Sequence, residues 1–249
     1  MIGPIDPRFA YIAIAIPFAL LWAALYLWSP HTRKEQLRLS AIFVAVGVIA
    51  DSFLYFNDYW RPQSIAPLHI GVFSIYPESM LFGGAFAGIA AVIYQVVSKQ
   101  SSTPAHIERV WQRRAIVLGV FIAVTILLLS AGLNSIYATA LGALTVVATI
   151  VYVRRDLLVP ALASGALSAC IMFCFYFIIV HGVANSEEWC RSIWLLYGTP
   201  FGARFVGIPL TELVWGFSAG AAIGILHKFI HRIQFTRTAV SRETNKHEK

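Results

Sequence analysis

Seven predominantly apolar stretches, at 9–28, 39–58, 76–97, 115–133, 136–153, 158–181 and 207–230, are separated along the chain by polar, basic or Pro-containing segments. Each is as long as the ~17 to 25 residues a helix needs to cross a bilayer. The pattern predicts an all-α integral membrane protein with seven transmembrane helices. In the third and seventh stretches an acid stands just inside the helix start, in Ile75-Tyr76-Pro77-Glu78-Ser79-Met80-Leu81-Phe82-Gly83 and in Ile208-Pro209-Leu210-Thr211-Glu212-Leu213-Val214-Trp215-Gly216. Laying Leu81-Phe82-Gly83 over Val214-Trp215-Gly216 sets Pro77-Glu78-Ser79 opposite Leu210-Thr211-Glu212, so each copy carries one acid and one small hydroxyl residue. This internal repeat divides the chain into a first three-helix unit (1–97), a basic linker with a connecting helix (98–135), a second three-helix unit (136–230) and a basic tail (231–249). A single connecting helix returns the chain to the side where it began, so the two repeats are expected to be parallel. Many alternating-access transporters are built instead from inverted repeats.

Composition sharpens this picture. The 249 residues are 58% hydrophobic and 12% charged, where a soluble domain has roughly 25% charged residues. The net charge of +7 follows topology and does not suggest nucleic acid as a partner. Arg33, Lys34, Arg38, Lys99, Arg109, Arg113, Arg114, Arg154, Arg155 and the segment from Lys228 to Lys249 fall on one side of the predicted spans; Arg8, Arg61, Arg191 and Arg204 fall on the other. The positive-inside rule then puts the N-terminus outside and the C-terminus in the cytoplasm of a multi-pass cell-membrane protein. No GxGxxG or GxxxxGK[ST] pattern is present, so no flavin or nicotinamide cofactor is expected. Cys170, Cys174 and Cys190 read as small packing residues, and no metal-ligand set stands out. Gly84 and Gly88, and Gly216, Gly220 and Gly224, have the small-residue spacing that lets helices approach closely; these faces are expected to join the two halves.

Candidate chemistry rests on acids within apolar helices. A charged side chain there costs at least ~2.5 to 3.5 kcal/mol, and is tolerated mainly where it faces protein or a cavity. Asp51 is the most isolated, in Val48-Ile49-Ala50-Asp51-Ser52-Phe53; Asp58, at the span's end, reads as solvated. At ~1.5 Å rise per residue, Asp51 lies roughly 10 Å and Glu78 and Glu212 roughly 5 Å inside the outer ends of their helices. Facing repeats are expected to gather all three in one apolar-walled chamber lined by Tyr55, Trp60, Phe82, Trp194 and Trp215. Apolar surroundings and a neighbouring carboxylate both favour a protonated acid, which is the form a general acid requires.

Asp51 followed nine residues later by Trp60, the acids after Pro77 and after Pro209-Leu210-Thr211, and the three-helix duplication together resemble the lycopene cyclase domain of membrane-embedded, non-flavin carotenoid cyclases. The resemblance implies that Asp51, Glu78 and Glu212 protonate the terminal double bond of a hydrophobic polyene, or another isoprenoid, taken from membrane lipid. Ring closure and proton loss follow, in a redox-neutral isomerisation without a cofactor. Family members tend to carry two adjacent acids in each half, whereas here Ser79 and Thr211 replace one in each. Two other readings stay open: a proton- or cation-coupled transporter using the same carboxylates, and a structural membrane protein that has lost catalysis. Homo-oligomeric association is also left open.

Overall fold

The computed structural model describes residues 6–103, 110–184, 187–232 and 234–237. Linker residues 104–109, with Arg109, and tail residues 238–249 lie outside the described residues. Seven helices are long and apolar enough to span a membrane: α1 Ala10–Trp28, α2 Arg33–Ala50, α3 Pro77–Ser98, α4 Val110–Ser130, α5 Ser135–Val153, α6 Leu158–Ile178 and α7 Leu210–Ile230. The protein is an all-α, multi-pass membrane protein. Helix ends follow local chemistry. Pro77 opens α3 at the position where a missing N–H costs nothing, and Lys99 closes it in the left-handed conformation at φ 51°.

The packing of the two halves is alike. In the first, α3 lies against α2 and α1; in the second, α7 lies against α6 and α5. The central helices α3 and α7 then meet, while α4 packs on α5 and the edge of α7. Short hairpins precede both central helices: β1 (Leu68–Ile70) with β2 (Phe73–Ile75) before α3, and β4 (Arg204–Phe205) with β5 (Ile208–Pro209) before α7. Between them in sequence, β3 (Gln100–Thr103) follows α3 and pairs at the basic end of the bundle with β6 (Gln234–Arg237), which follows α7.

Backbone hydrogen bonds clasp the halves together at the loop end. Trp60 and Trp194 form an antiparallel bridge; the Arg61 N–H donates to the Ile193 carbonyl and the Leu195 N–H to the Tyr59 carbonyl, both at 2.8 Å. Asp58 is not a free surface acid as its sequence position suggested. It caps α5, accepting from the Ser135 N–H at 2.8 Å and the Ser135 hydroxyl at 2.5 Å, because the first N–H groups of a helix lack partners within it.

The glycine faces correct the sequence expectation. A Cβ at Gly84 would press on Val44 at 2.9 Å, and one at Gly88 would collide with Trp22 and Ser40. Gly216 and Gly220 are similarly closed by Met172 and Ser168 of α6. These contacts therefore seal each half internally. Of the five, Gly224 alone also reaches across, with a Cβ position 3.2 Å from the Ala90 carbonyl of α3.

A buried ion pair also joins the halves. Lys228 of α7, 1% exposed, pairs with Glu35 of α2 and donates to the Ala91 carbonyl of α3 at 2.8 Å. Gln95 donates to the other Glu35 oxygen at 2.9 Å. Lys228 is therefore neutralised inside the bundle rather than adding to a basic surface. Breaking one side of such a pair strands a buried charge, at a cost of about 3–5 kcal/mol. Lys228→Met is expected to lower the melting temperature in detergent sharply, and Gly220→Leu, which overpacks α6 against α7 at a cost of about 1–3 kcal/mol, should do so as well. Wild-type melting of either variant, followed by fluorescence-detected gel filtration after heating, would remove its contact from the account.

Candidate active site

Asp51 stands where α2 widens into a π-helical turn, Asp51–Tyr55. Such an insertion turns the following side chains out of the regular helical register and often marks a functional site. The carboxylate is 5% exposed. Tyr11 of α1 donates to Oδ2 at 2.8 Å, Ser79 of α3 donates to the same oxygen, and the Trp60 side chain supplies a further hydrogen bond.

Glu212, in the first turn of α7, is as deeply enclosed at 4% exposure. Its Oε1 accepts from Tyr59 Oη at 2.6 Å and Trp194 Nε1 at 2.7 Å, and its Oε2 from Tyr176 Oη at 3.1 Å. Thr211 Oγ1 lies 3.0 Å from the same Tyr59 hydroxyl. Three donors per acid are what burial demands: away from water an unpartnered charge is prohibitively costly, while each hydrogen bond to a charged group returns about 1.5–3 kcal/mol.

Four of the six donors form one aromatic wall. Tyr11 meets Trp60 edge-on with centroids 4.8 Å apart, Trp60 lies 6.3 Å from Trp194, and Trp194 lies 5.9 Å from Tyr176. Deeper in the bundle Phe82 stacks on Trp215 at 6.3 Å, and Phe86 approaches Trp215 at 5.0 Å. Tyr55 joins the halves, accepting from Trp215 Nε1 at 2.9 Å and donating to Thr139 Oγ1 of α5 at 3.0 Å. Seven of the eight residues singled out from the sequence thus belong to one continuous network between the repeats.

The exception is Glu78. Its carboxylate accepts from the Ser64 hydroxyl at 2.7 Å and the Ile65 N–H at 2.8 Å. It therefore holds the loop before β1 and is not joined to Asp51 and Glu212. The expected arrangement of three acids becomes a pair of acids plus a loop anchor. A cavity of about 230 Å³ lies near the loop end, lined by Val180, His181, Glu187, Cys190, Tyr197, Arg204 and Gly207, and none of the eight residues contributes to it. There, hydrogen bonds from Arg191 and then Arg204 hold Glu187 below the usual carboxylate range.

The sequence reading overlooked Tyr11, Tyr59 and Tyr176, which supply half of the donors to the two acids. For Tyr11 and Tyr176 the available signal was a tyrosine at helix depth, where a phenolic hydroxyl must find a partner within the protein; Tyr59 lies on the loop after α2.

Residues 134–230 match the family model for lycopene cyclase. Over that segment the chain is similar to the lycopene cyclase family. The match begins at Asn134, the N-cap of α5, and ends with the last residue of α7. The matched segment therefore comprises three long helices together with the loop before α7, and it contains Tyr176, Trp194, Glu212 and Trp215. The match points in general terms to a carotenoid cyclase-like function. No curated protein and no solved structure matches the chain.

Tyr59→Phe removes one donor from the buried Glu212 carboxylate. It should lower unfolding free energy by about 1.5–3 kcal/mol, whereas Tyr152→Phe, at a position 85% exposed, should change nothing. Equal melting temperatures for the two variants would show that Tyr59 does not support Glu212.

Proposed function

We propose that the protein is a membrane-embedded carotenoid cyclase, in which Asp51 and Glu212 carry out a proton-initiated, redox-neutral ring closure at the end of a polyene. The supporting observation is the pair of buried carboxyl groups, each wrapped by tyrosine and tryptophan donors and joined by one aromatic wall. In the reaction, one carboxylic acid gives its proton to a carbon of the terminal double bond, leaving a tertiary carbocation. The electrons of a nearby double bond close the ring by forming a carbon–carbon bond. An adjacent C–H then loses its proton to a carboxylate, and those electrons form the ring double bond. One proton is added and one lost, so the product is an isomer and no redox cofactor is needed.

Each part of the site has a role in this scheme. General acid catalysis is typically worth ~10² to 10⁴ in rate. The faces of Tyr55, Trp60, Phe82, Trp194 and Trp215 stabilise the cation, since aromatic rings attract positive charge over their faces. Glu78 anchors the loop before β1 and takes no part in the proton transfers. The substrate, an apolar polyene or related isoprenoid, enters from membrane lipid. Two parallel three-helix units, 1–97 and 136–230, enclose it, with the N-terminus outside and the C-terminus in the cytoplasm.

Expression in lycopene-accumulating cells should convert the open-chain pigment to a cyclic one. Asp51→Asn, which keeps size and hydrogen bonding but removes the titratable proton, should fold and lose ~10² to 10⁴ in turnover. Unchanged pigment with folded wild-type protein would overturn the reading. The topology is checked separately: reporters fused after Arg114 and after Arg155 should both be cytoplasmic.

A further inference from the structure

We infer that Asp51 fills, from the neighbouring helix, the place that Glu212 fills in the second half, so that the two halves hold equivalent carboxylates on non-equivalent helices. The correspondence between α3 and α7 comes from the repeat, which sets Ser79 opposite Glu212. The correspondence between α2 and α6 comes from packing. Gly84 and Gly88 of α3 lie against Ser40 of α2, with the Gly84 Cβ position 3.4 Å from the Ser40 carbonyl. Their counterparts on α7 are Phe217 and Ala221, and both lie against Gly165 of α6, whose Cβ position is 2.7 Å from the Phe217 carbonyl and 3.1 Å from the Ala221 Cβ. Ser40 therefore corresponds to Gly165. Eleven residues further along each helix, Asp51 corresponds to Tyr176.

The same helix-to-helix contact thus recurs with its partners exchanged. In the first half the acid is on α2 and a hydroxyl, Ser79, on α3. In the second the hydroxyl, Tyr176, is on α6 and the acid on α7. The tryptophans complete the correspondence: Trp60 serves Asp51 and Trp194 serves Glu212, and the two are paired with each other by the backbone bridge. The acid missing at Ser79 has its counterpart in Asp51, and what the site requires is a carboxylate in that volume, whichever helix supplies it. The spatial equivalence stands without the cyclase reading; its catalytic consequence rests on that reading.

The test exchanges the two groups within the first half. Asp51→Ser leaves Tyr11 and Trp60 without their acceptor, and Ser79→Asp presses two carboxyl groups together, so each single variant should melt well below wild type. The double variant Asp51→Ser/Ser79→Asp should recover most of the lost melting temperature, and at least tenfold of the pigment turnover lost in Asp51→Ser. A second double variant, Asp51→Ser/Ser79→Glu, copies the length of Glu212 and covers the case in which aspartate is too short to reach. If both doubles melt as low as the sum of their single effects, the equivalence is overturned. Recovered melting in a protein whose wild type converts no polyene would uphold the equivalence and remove the cyclase reading instead. A wild type that cyclises, with neither double recovering melting or turnover, would remove the equivalence alone.

Discussion

Within hydrocarbon no water is available to complete a hydrogen bond, so every polar group that enters must be satisfied by the protein itself. Much of the bundle's internal order follows from this constraint. Asp51 draws donors from α1, from α3 and from the loop after α2. Glu212 draws them from α6 and from both loops that cross the clasp. At the opposite end Glu35 and Lys228 tie α2 to α7, with α3 supplying a carbonyl and an amide. Helices that gain little from burying apolar surface against one another in lipid are thus aligned by a few polar points, one set near each end of the span.

The glycines act on the space between those points. Gly84, Gly88, Gly216 and Gly220 bring each central helix close to its own partner, so each half is closely packed within itself. Besides the Gly224 contact and the Lys228–Glu35 pair, their meeting surface is made by larger groups: Phe82, Phe86 and Trp215, and the Trp215–Tyr55–Thr139 chain of hydrogen bonds. The aromatic wall therefore lies on the boundary between two units already packed. Groups on such a boundary can separate slightly without either unit unfolding.

The spans were legible because their signal, apolar length, depends only on the bilayer. The repeat was read from Phe-Gly and Trp-Gly following an acid at similar distances in the two copies; the structure adds that α3 and α7 each pack against the two long helices of their own half. Partner choice was less so. Glu78 and Glu212 stand in the first turn of their helices, yet one faces a loop and the other the core, because one residue of offset in the repeat turns a helical side chain by about 100°. The GxxxG spacing announced close contact without naming the neighbour. Tyr11 and Tyr176 were hidden because a tyrosine in a span reads as packing until an acceptor is found beside it, and Tyr59 because it stands on a loop just beyond one. Lys228 was counted with the basic end, since its partner Glu35 lies 193 residues away in the chain.

The exchange of acid and hydroxyl between Asp51–Ser79 and Tyr176–Glu212 bears on how duplicated membrane proteins are compared. When two helices touch along a fixed seam, a functional group can migrate from one to the other by two substitutions and stay within a side chain's reach of where it was. Position-by-position alignment of the copies then records a loss at Ser79 and an unrelated gain at Asp51. The contact between the helices, not the column in the alignment, is the unit that duplication hands down.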